Sequence, residues 1–290
     1  MQSFPPNERK IMNRPHRLAV RFRAFTLVEL LVVVGIIAVL VSILMPALNK
    51  ARRAANTVVC ASNMRQIGLA MVMYCGEHNG CFPCAFIDVG PAPNAGGNGY
   101  SWDDMLNRYV GRKDKDADLS NQWMPNGIKL FTCPDDVWDR QVGGVTYKTR
   151  SYSMTSCLTN GTYGAVFYGM GTKTLTLTAG WPVNVNFRYV KITDAPRSSE
   201  TLLLVECPYP NGSTAQSLNR LGSPSGCQVD KPSDQTNQGL IKPLHGGKWN
   251  YLFVDGHVDW LSMDQTIRTP ATLTSTAPTL NYMWTRIPND

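Results

Sequence analysis

Residues 25–48 read FTLVELLVVVGIIAVLVSILMPAL. From Phe25 to Met45 the run is apolar apart from Thr26, Glu29 and Ser42, with the small Gly35 near its middle. About 20 such residues cross the hydrocarbon core of a bilayer as a helix. The stretch therefore predicts a membrane-spanning helix. Glu29 is its anomaly. A carboxylate inside a membrane helix costs on the order of 3 kcal/mol, so such residues are usually kept for a purpose.

On the N-terminal side lie Arg9, Lys10, Arg14, Arg17, Arg21 and Arg23, opposed only by Glu8, a net of +5. The whole chain of 290 residues carries +7, which leaves +2 for everything after residue 24. The basic balance thus belongs to a targeting leader, and no nucleic-acid partner is expected. By the positive-inside rule it holds the N-terminus in the cytoplasm and places the rest of the chain beyond the membrane. Lys50, Arg52 and Arg53 weaken that bias without reversing it. A secretory signal has about 7–15 apolar residues followed by a small-residue cleavage site. This run is longer and no such site follows closely. A lipoprotein signal needs a cysteine near the end of the run, and the first is Cys60.

A basic leader, the small Ala24, then FTLVE and an uninterrupted apolar run resemble the N-terminus of type IV prepilins and type II secretion pseudopilins. The resemblance implies cleavage between Ala24 and Phe25 by a prepilin peptidase and N-methylation of Phe25. It makes Glu29 the fifth mature residue, with a role in assembly. Pro46 falls where many pilins carry a proline in the long helix. Ala24 departs from the family's usual Gly before the cut.

On the C-terminal side, Ala51, Ala54, Val58, Ala61, Met64, Ile67, Met71 and Tyr74 recur at spacings of three and four, which predicts one apolar helix face. Arg52, Arg53, Asn56, Asn63, Arg65 and Gln66 fall largely between them. Gly76 is the expected stop. A helix from Phe25 to Cys75 would be about 75 Å long, so its first half is expected in lipid or against other subunits. Pro46 removes a backbone donor and should loosen or kink it.

Beyond the helix, Gly80–Gly99 and Asn211–Gly239 read as long loops rich in Gly, Pro, Ser and Asn. Trp102–Val110 predicts a short helix. Short β-type runs are expected at Ile128–Cys133, Val145–Met154, Ala165–Tyr168, Lys173–Thr178, Asn184–Ile192 and Thr201–Glu206. Residues 269–290 read as a loose tail. The expected organisation is a leader (1–24), a transmembrane helix (25–46) and a soluble α+β domain (47–268). In that domain the helix continues over 47–75 and packs on an antiparallel sheet drawn from 128–262.

The strongest late signal is NYLFVDGHVDWL, Asn250–Leu261. Asp255-Gly256 suggests a two-residue type I′ hairpin. That turn would pair Phe253 with Val258 and Tyr251 with Trp260, putting Tyr251, Phe253, Val258 and Trp260 on one face against the long helix. Leu252, Val254, His257 and Asp259 would form the wetter face.

Together these pieces resemble a large bacterial group of pilin-like proteins with a C-terminal H-x9-DG motif. His245 is followed by nine residues and then Asp255-Gly256. Cys60 and Asn63 before RQIG at Arg65–Gly68, Cys133-Pro134, Ser151-Tyr152 and the acid-terminated Leu202–Glu206 match the group's other segments. The resemblance implies a pilin-like fold and assembly route rather than a substrate.

Eight cysteines in an exported domain favour disulfides, and eight allow 105 pairings. Cys75, Cys81 and Cys84 cluster after the helix; with Cys133 they offer disulfide partners or, at CxxC spacing, zinc ligands. Cys60 is expected to be a packed thiol. His245, Asp255, His257 and Asp259 offer a metal or acid–base cluster, although a turn aspartate and a hydrogen-bonded histidine explain them more simply. Pseudopilins often bind calcium near a C-terminal loop, and Asp255, Asp259 and Asp264 would be the residues here to supply oxygens, but no calcium-loop spacing is present. No cofactor is otherwise expected, and no nucleophile elbow, phosphate loop or HExxH occurs.

The leading expectation is a structural, non-enzymatic subunit of a type II secretion or type IV pilus-like filament. It would be held as a single-pass protein of the cytoplasmic membrane, with the prepilin peptidase, other subunits and an inner-membrane assembly platform as partners. The alternative is a membrane-anchored binding module for carbohydrate or protein. Its long loops and Trp102, Trp123 and Trp181 would form the binding surface.

Overall fold

The computed structural model describes residues 26–90, 98–114, 128–138, 140–142, 145–146, 148–155, 190–195, 197–208, 228–229, 235 and 242–266. The leader, Phe25, the expected strands at 165–168 and 173–178, Trp123, Trp181, Cys157, Cys227 and the tail lie outside them. The apolar run opens α1, Leu27–Glu77, a helix of 51 residues that passes through Pro46. Its most apolar 18-residue window has a mean hydropathy of 3.0. The chain divides into two units, residues 1–49 and residues 50–290. In the first, every side chain from Leu27 to Asn49 is exposed. A helix apolar all round and unburied is the kind that lipid or other subunits cover.

In the second unit, α1 buries Cys60, Met64, Ile67, Gly68, Ala70, Met71 and Cys75. The expected face holds at Met64, Ile67 and Met71 but not at its start, where Val58 is 66% exposed. There Asn56 and Thr57 turn partly inward, because the body offers them polar partners: Asp135 accepts from Asn56 Nδ2, and Thr57 O accepts from Asn250 Nδ2 at 3.3 Å. The helix stops past Gly76. Asn79 takes φ +54° and Gly80 φ +78°, and Gly80 N–H donates to Cys75 O at 2.8 Å. This left-handed cap satisfies a terminal carbonyl.

The first expected loop contains a hairpin, β1 (Phe86–Gly90) with β2 (Asn98–Ser101). Helix α2, Trp102–Met105, follows and is shorter than expected. Ser101 N–H donates to Asp104 at 2.9 Å across its start. The run at 128–133 forms a 3-10 turn, Lys129–Phe131, rather than a strand. Phe131 packs edge-on against Trp102 at 5.5 Å between ring centroids. The Val145–Met154 run divides into β4 (Val145–Thr146), which pairs with β3 (Gln141–Val142), and β5 (Tyr152–Thr155).

The main sheet runs β7-β5-β6-β8-β9, where β6 is Leu202–Glu206, β7 Gln228–Val229, β8 Trp249–Phe253 and β9 Val258–Leu261. Four strands pair antiparallel, and the short β7, inside the second expected loop, joins β5 in parallel. The architecture is α+β, with the soluble part of α1 packed on one sheet face. Leu252 touches Gly68, where an added Cβ would lie 3.2 Å from its methyl carbons.

The β8–β9 register differs by one residue from the two-residue turn. Tyr251 faces Asp259 and Leu252 faces Val258. Phe253 N–H donates to His257 O, and Gly256 N–H to Phe253 O, both at 3.0 Å. Val254, Asp255 and Gly256 therefore make a three-residue loop, with Gly256 at φ +91° supplying the left-handed residue. Val254 N–H is held by Thr201 O at 3.0 Å and Asp255 N–H by Ser198 O at 3.2 Å, which fixes the longer loop.

A one-residue slip exchanges faces. Leu252, Val254 and Val258 pack in the cluster with α1. Trp249, Tyr251 and Phe253 pack with Leu202, Val205 and Cys207 in a separate cluster. Trp260 is 47% exposed. A register irregularity between Leu202 and Leu204 lets Leu203 and Leu204 both join the α1 side, as a β-bulge does. Gly256→Val should cost about 1–2 kcal/mol, the penalty of a left-handed L-residue. The cause is strain alone, since nothing lies within 4 Å of an added Cβ; denaturant unfolding of the chain in detergent checks it.

Candidate functional site

At the start of α1, Thr26 and Glu29 form a reciprocal cap. Thr26 N–H and Oγ–H donate to Glu29 Oε2 at 2.9 and 2.8 Å, and Glu29 N–H donates to Thr26 Oγ at 3.2 Å. This is the T-x-x-E capping box, a signal legible in the sequence beside the lipid argument. It gives the carboxylate local donors while leaving its charge in place. Pro46 lies inside the helix and supplies no N–H for the ladder.

The second centre is buried in the body. Its anchor is His245, set by a tight turn through Gly246 and Gly247. His245 N–H donates to Lys248 O at 3.2 Å, and Lys248 N–H returns to His245 O at 3.3 Å. Both glycines have positive φ, +65° and +92°, as a type I′ turn requires. The tight two-residue turn of this region is thus Gly246-Gly247 rather than Asp255-Gly256. Trp260 Nε1–H caps it by donating to His245 O at 3.1 Å, and Lys248 Nζ sits 4.8 Å from the Trp260 ring centre.

The imidazole lies between two carboxylates. Nε2 is 2.9 Å from Glu206 Oε1, and Nδ1 is 3.1 Å from Asp135 Oδ2. His245 and Glu206 are 1% and 0% exposed. Glu206, the last residue of β6, also accepts from Asn250 N–H at 2.8 Å and Asn250 Nδ2 at 3.0 Å. Its backbone carbonyl accepts from Gln235 Nε2 at 2.8 Å. Nε2 also lies 3.4 Å from Cys133 Sγ, and Cys133 is joined to Cys60 of α1 by a disulfide. Cys60 is therefore a bridge partner rather than a packed thiol. Ser151 Oγ accepts from Cys133 N–H at 2.9 Å and donates to Asp136 at 2.6 Å.

Burial alone would disfavour the imidazolium, but Glu206 and Asp135 outweigh it and raise His245 above its ordinary value of 6.5. A raised folded value means that protonation stabilises the folded chain. That contribution is complete below the unfolded value near 6.5 and is lost as pH climbs through the higher folded value. The melting temperature of the oxidised chain in detergent with chelator should fall over that window. His245→Asn should flatten the slope.

The sequence-predicted cluster does not form as one site. Asp255, His257 and Asp259 meet at the hairpin tip, where His257 Nδ1 is 2.5 Å from Asp255 Oδ1 and Nε2 is 3.7 Å from Asp259 Oδ2. His245 belongs to the buried centre. Cys75, Cys81 and Cys84 do not join Cys133 in a ligand group among the described residues. The group found there is Cys60, Cys133, Glu206 and His245. Cys75 is a free buried thiol, raised by burial to about 11.

Two family models match the chain. One, described as Prokaryotic N-terminal methylation motif, matches residues 20–45. The other, described as Protein of unknown function (DUF1559), matches residues 49–217, more than half of the chain. The chain belongs to the DUF1559 family. No curated protein and no solved structure matches it. The DUF1559 match includes Cys60, Cys133 and Glu206 and ends before His245. The N-terminal match covers Glu29 and the boundary at Ala24 and Phe25. The chain is thus a prepilin-type member of this family, and its single long apolar helix among the described residues fits a membrane anchor.

The Cys60–Cys133 pairing was not legible because eight cysteines leave the choice open. The segments Cys60, Cys133-Pro134, Ser151-Tyr152, Glu206 and His245 were each visible as motifs. Their convergence on one centre was the missing link.

Proposed function

We propose that this DUF1559 chain is a structural pilin- or pseudopilin-type subunit. It is held in the cytoplasmic membrane by α1 with its N-terminus inside, cut between Ala24 and Phe25 by a prepilin peptidase, and methylated on Phe25. An inner-membrane platform then assembles it with other subunits into a filament of the type II secretion or type IV pilus kind. The observation that carries this reading is the methylation motif at residues 20–45, which from Leu27 on runs along a helix whose apolar half is exposed on every side. A surface of that kind needs lipid in storage and neighbouring helices in a polymer. The disulfide and the His245 centre tie the soluble half of α1 to the sheet, so the helix carries a folded domain with it.

Shearing of native cells tests this. The processed chain should appear in the filament fraction and be absent from it when the prepilin peptidase is deleted. A processed chain that never leaves the membrane fraction, under conditions where the cells make filaments, would overturn assembly.

A further inference from the structure

The buried centre that ties α1 to the sheet also holds a donor set of two sulfurs, an imidazole and a carboxylate. We propose that Cys60, Cys133, His245 and Glu206 form a redox-gated tetrahedral zinc site, closed by the disulfide and opened by reduction. The two sulfurs, one imidazole nitrogen and one carboxylate oxygen all lie within 4.8 Å of one another. A zinc ion with bonds of about 2.0–2.3 Å needs donors roughly 3.3–3.8 Å apart. Nε2 already stands 3.4 Å from Cys133 Sγ and 2.9 Å from Glu206 Oε1. All four residues are buried. The bond between the sulfurs is what excludes an ion.

The surrounding groups suit such an ion. Ligating imidazoles are usually oriented by a carboxylate on the other ring nitrogen, and Asp135 Oδ2 stands 3.1 Å from Nδ1. Glu206 Oε2 is held by Asn250 N–H at 2.8 Å, which turns Oε1 toward the sulfurs and the ring. Asp135 also lines a cleft of about 510 Å³ with Arg53, Lys242, Leu244, Gly246 and Gly247, which brings solvent to the carboxylate beside Nδ1.

The chemistry balances with a dithiol as reductant. The dithiol gives two electrons and two protons and becomes a disulfide, while the Cys60–Cys133 bond breaks to two thiols. Zinc then displaces both thiol protons and any proton on Nε2 to solvent. It is held by two thiolates, neutral His245 and the Glu206 carboxylate. Metal and disulfide are thus alternative clamps between α1 and the 133–136 segment.

The test uses the full chain in detergent, reduced with a phosphine and given one equivalent of Zn(II) or Co(II). The reduced chain should bind one ion, and zinc-edge X-ray absorption should show two sulfur and two nitrogen or oxygen neighbours. Cobalt should show thiolate charge-transfer bands and tetrahedral visible bands, both absent from the oxidised chain. Asp135→Asn should weaken binding by at least about tenfold, and Cys60→Ser and His245→Asn should remove the two-sulfur, two-light-atom signature. If reduction or a substitution loosens the fold, zinc should restore the near-UV circular dichroism of the reduced wild type and not of the variants. A reduced chain that takes up no metal and is not restored by it overturns the site. So does a different ligand count, or uptake unchanged in Cys60→Ser and His245→Asn.

Discussion

Glu29→Val should leave the protein in the membrane and reduce its incorporation into filaments to background. Removing the charge makes insertion easier by on the order of 3 kcal/mol, so membrane content should hold or rise. The same change removes the capping box made with Thr26, worth about 1 kcal/mol to the helix start. A tethered helix in lipid tolerates that loss. We propose that assembly does not, because the carboxylate, costly in lipid when unpaired, meets in the filament the amine that cleavage exposes at Phe25 of a neighbouring copy. Glu29→Gln separates the two effects: glutamine can keep the capping box but carries no charge. It should assemble as poorly as the valine variant. Quantitative immunoblots of sheared and membrane fractions give the comparison. Wild-type filament levels from Glu29→Gln would leave Glu29 as a cap only.

Glu206→Ala should destabilise the soluble part by about 3–5 kcal/mol, the cost of breaking a buried charged pair from one side. Glu206 is fully buried. It accepts from His245 at 2.9 Å and from Asn250 N–H and Nδ2 at 2.8 and 3.0 Å. Its loss removes the larger of the two attractions that offset the burial of the imidazole, and strands a buried backbone N–H. Glu206→Gln keeps an acceptor and should cost less. Urea unfolding of the full chain in detergent, followed by near-UV circular dichroism, measures both. A loss under about 1 kcal/mol for the alanine variant would mean that β6 and β8 hold their register without this centre.

The parts of the fold legible in the sequence were those written in local periodicity. The apolar run became α1, and Leu202–Glu206 became the strand β6. The hairpin was legible as an element and not as a register. Asp255-Gly256 favours a two-residue turn locally, but the carbonyls of Thr201 and Ser198 hold Val254 and Asp255 in a longer loop. That one-residue difference moved Leu252 onto the helix and Tyr251 and Phe253 away from it, while Trp260, on the edge strand β9, is 47% exposed. The start of the soluble helix face misled for a similar reason, since Asn56 and Thr57 find partners on Asp135 and Asn250 that lie far along the chain. The buried centre draws on five separate segments, and no local pattern encodes which of them meet.

The account turns on whether residue 25 becomes the N-terminus. Intact-mass and N-terminal peptide mass spectrometry of the protein isolated from native membranes measures this directly. The account predicts a chain beginning at N-methylated Phe25, and accumulation of a form that keeps the residues before Phe25 when the prepilin peptidase is deleted. A bulky residue at Ala24 should have the same effect, and Ala24→Gly should process at least as fast as the wild type. A chain that keeps its leader in membranes with an active prepilin peptidase, or is cut elsewhere, would contradict it.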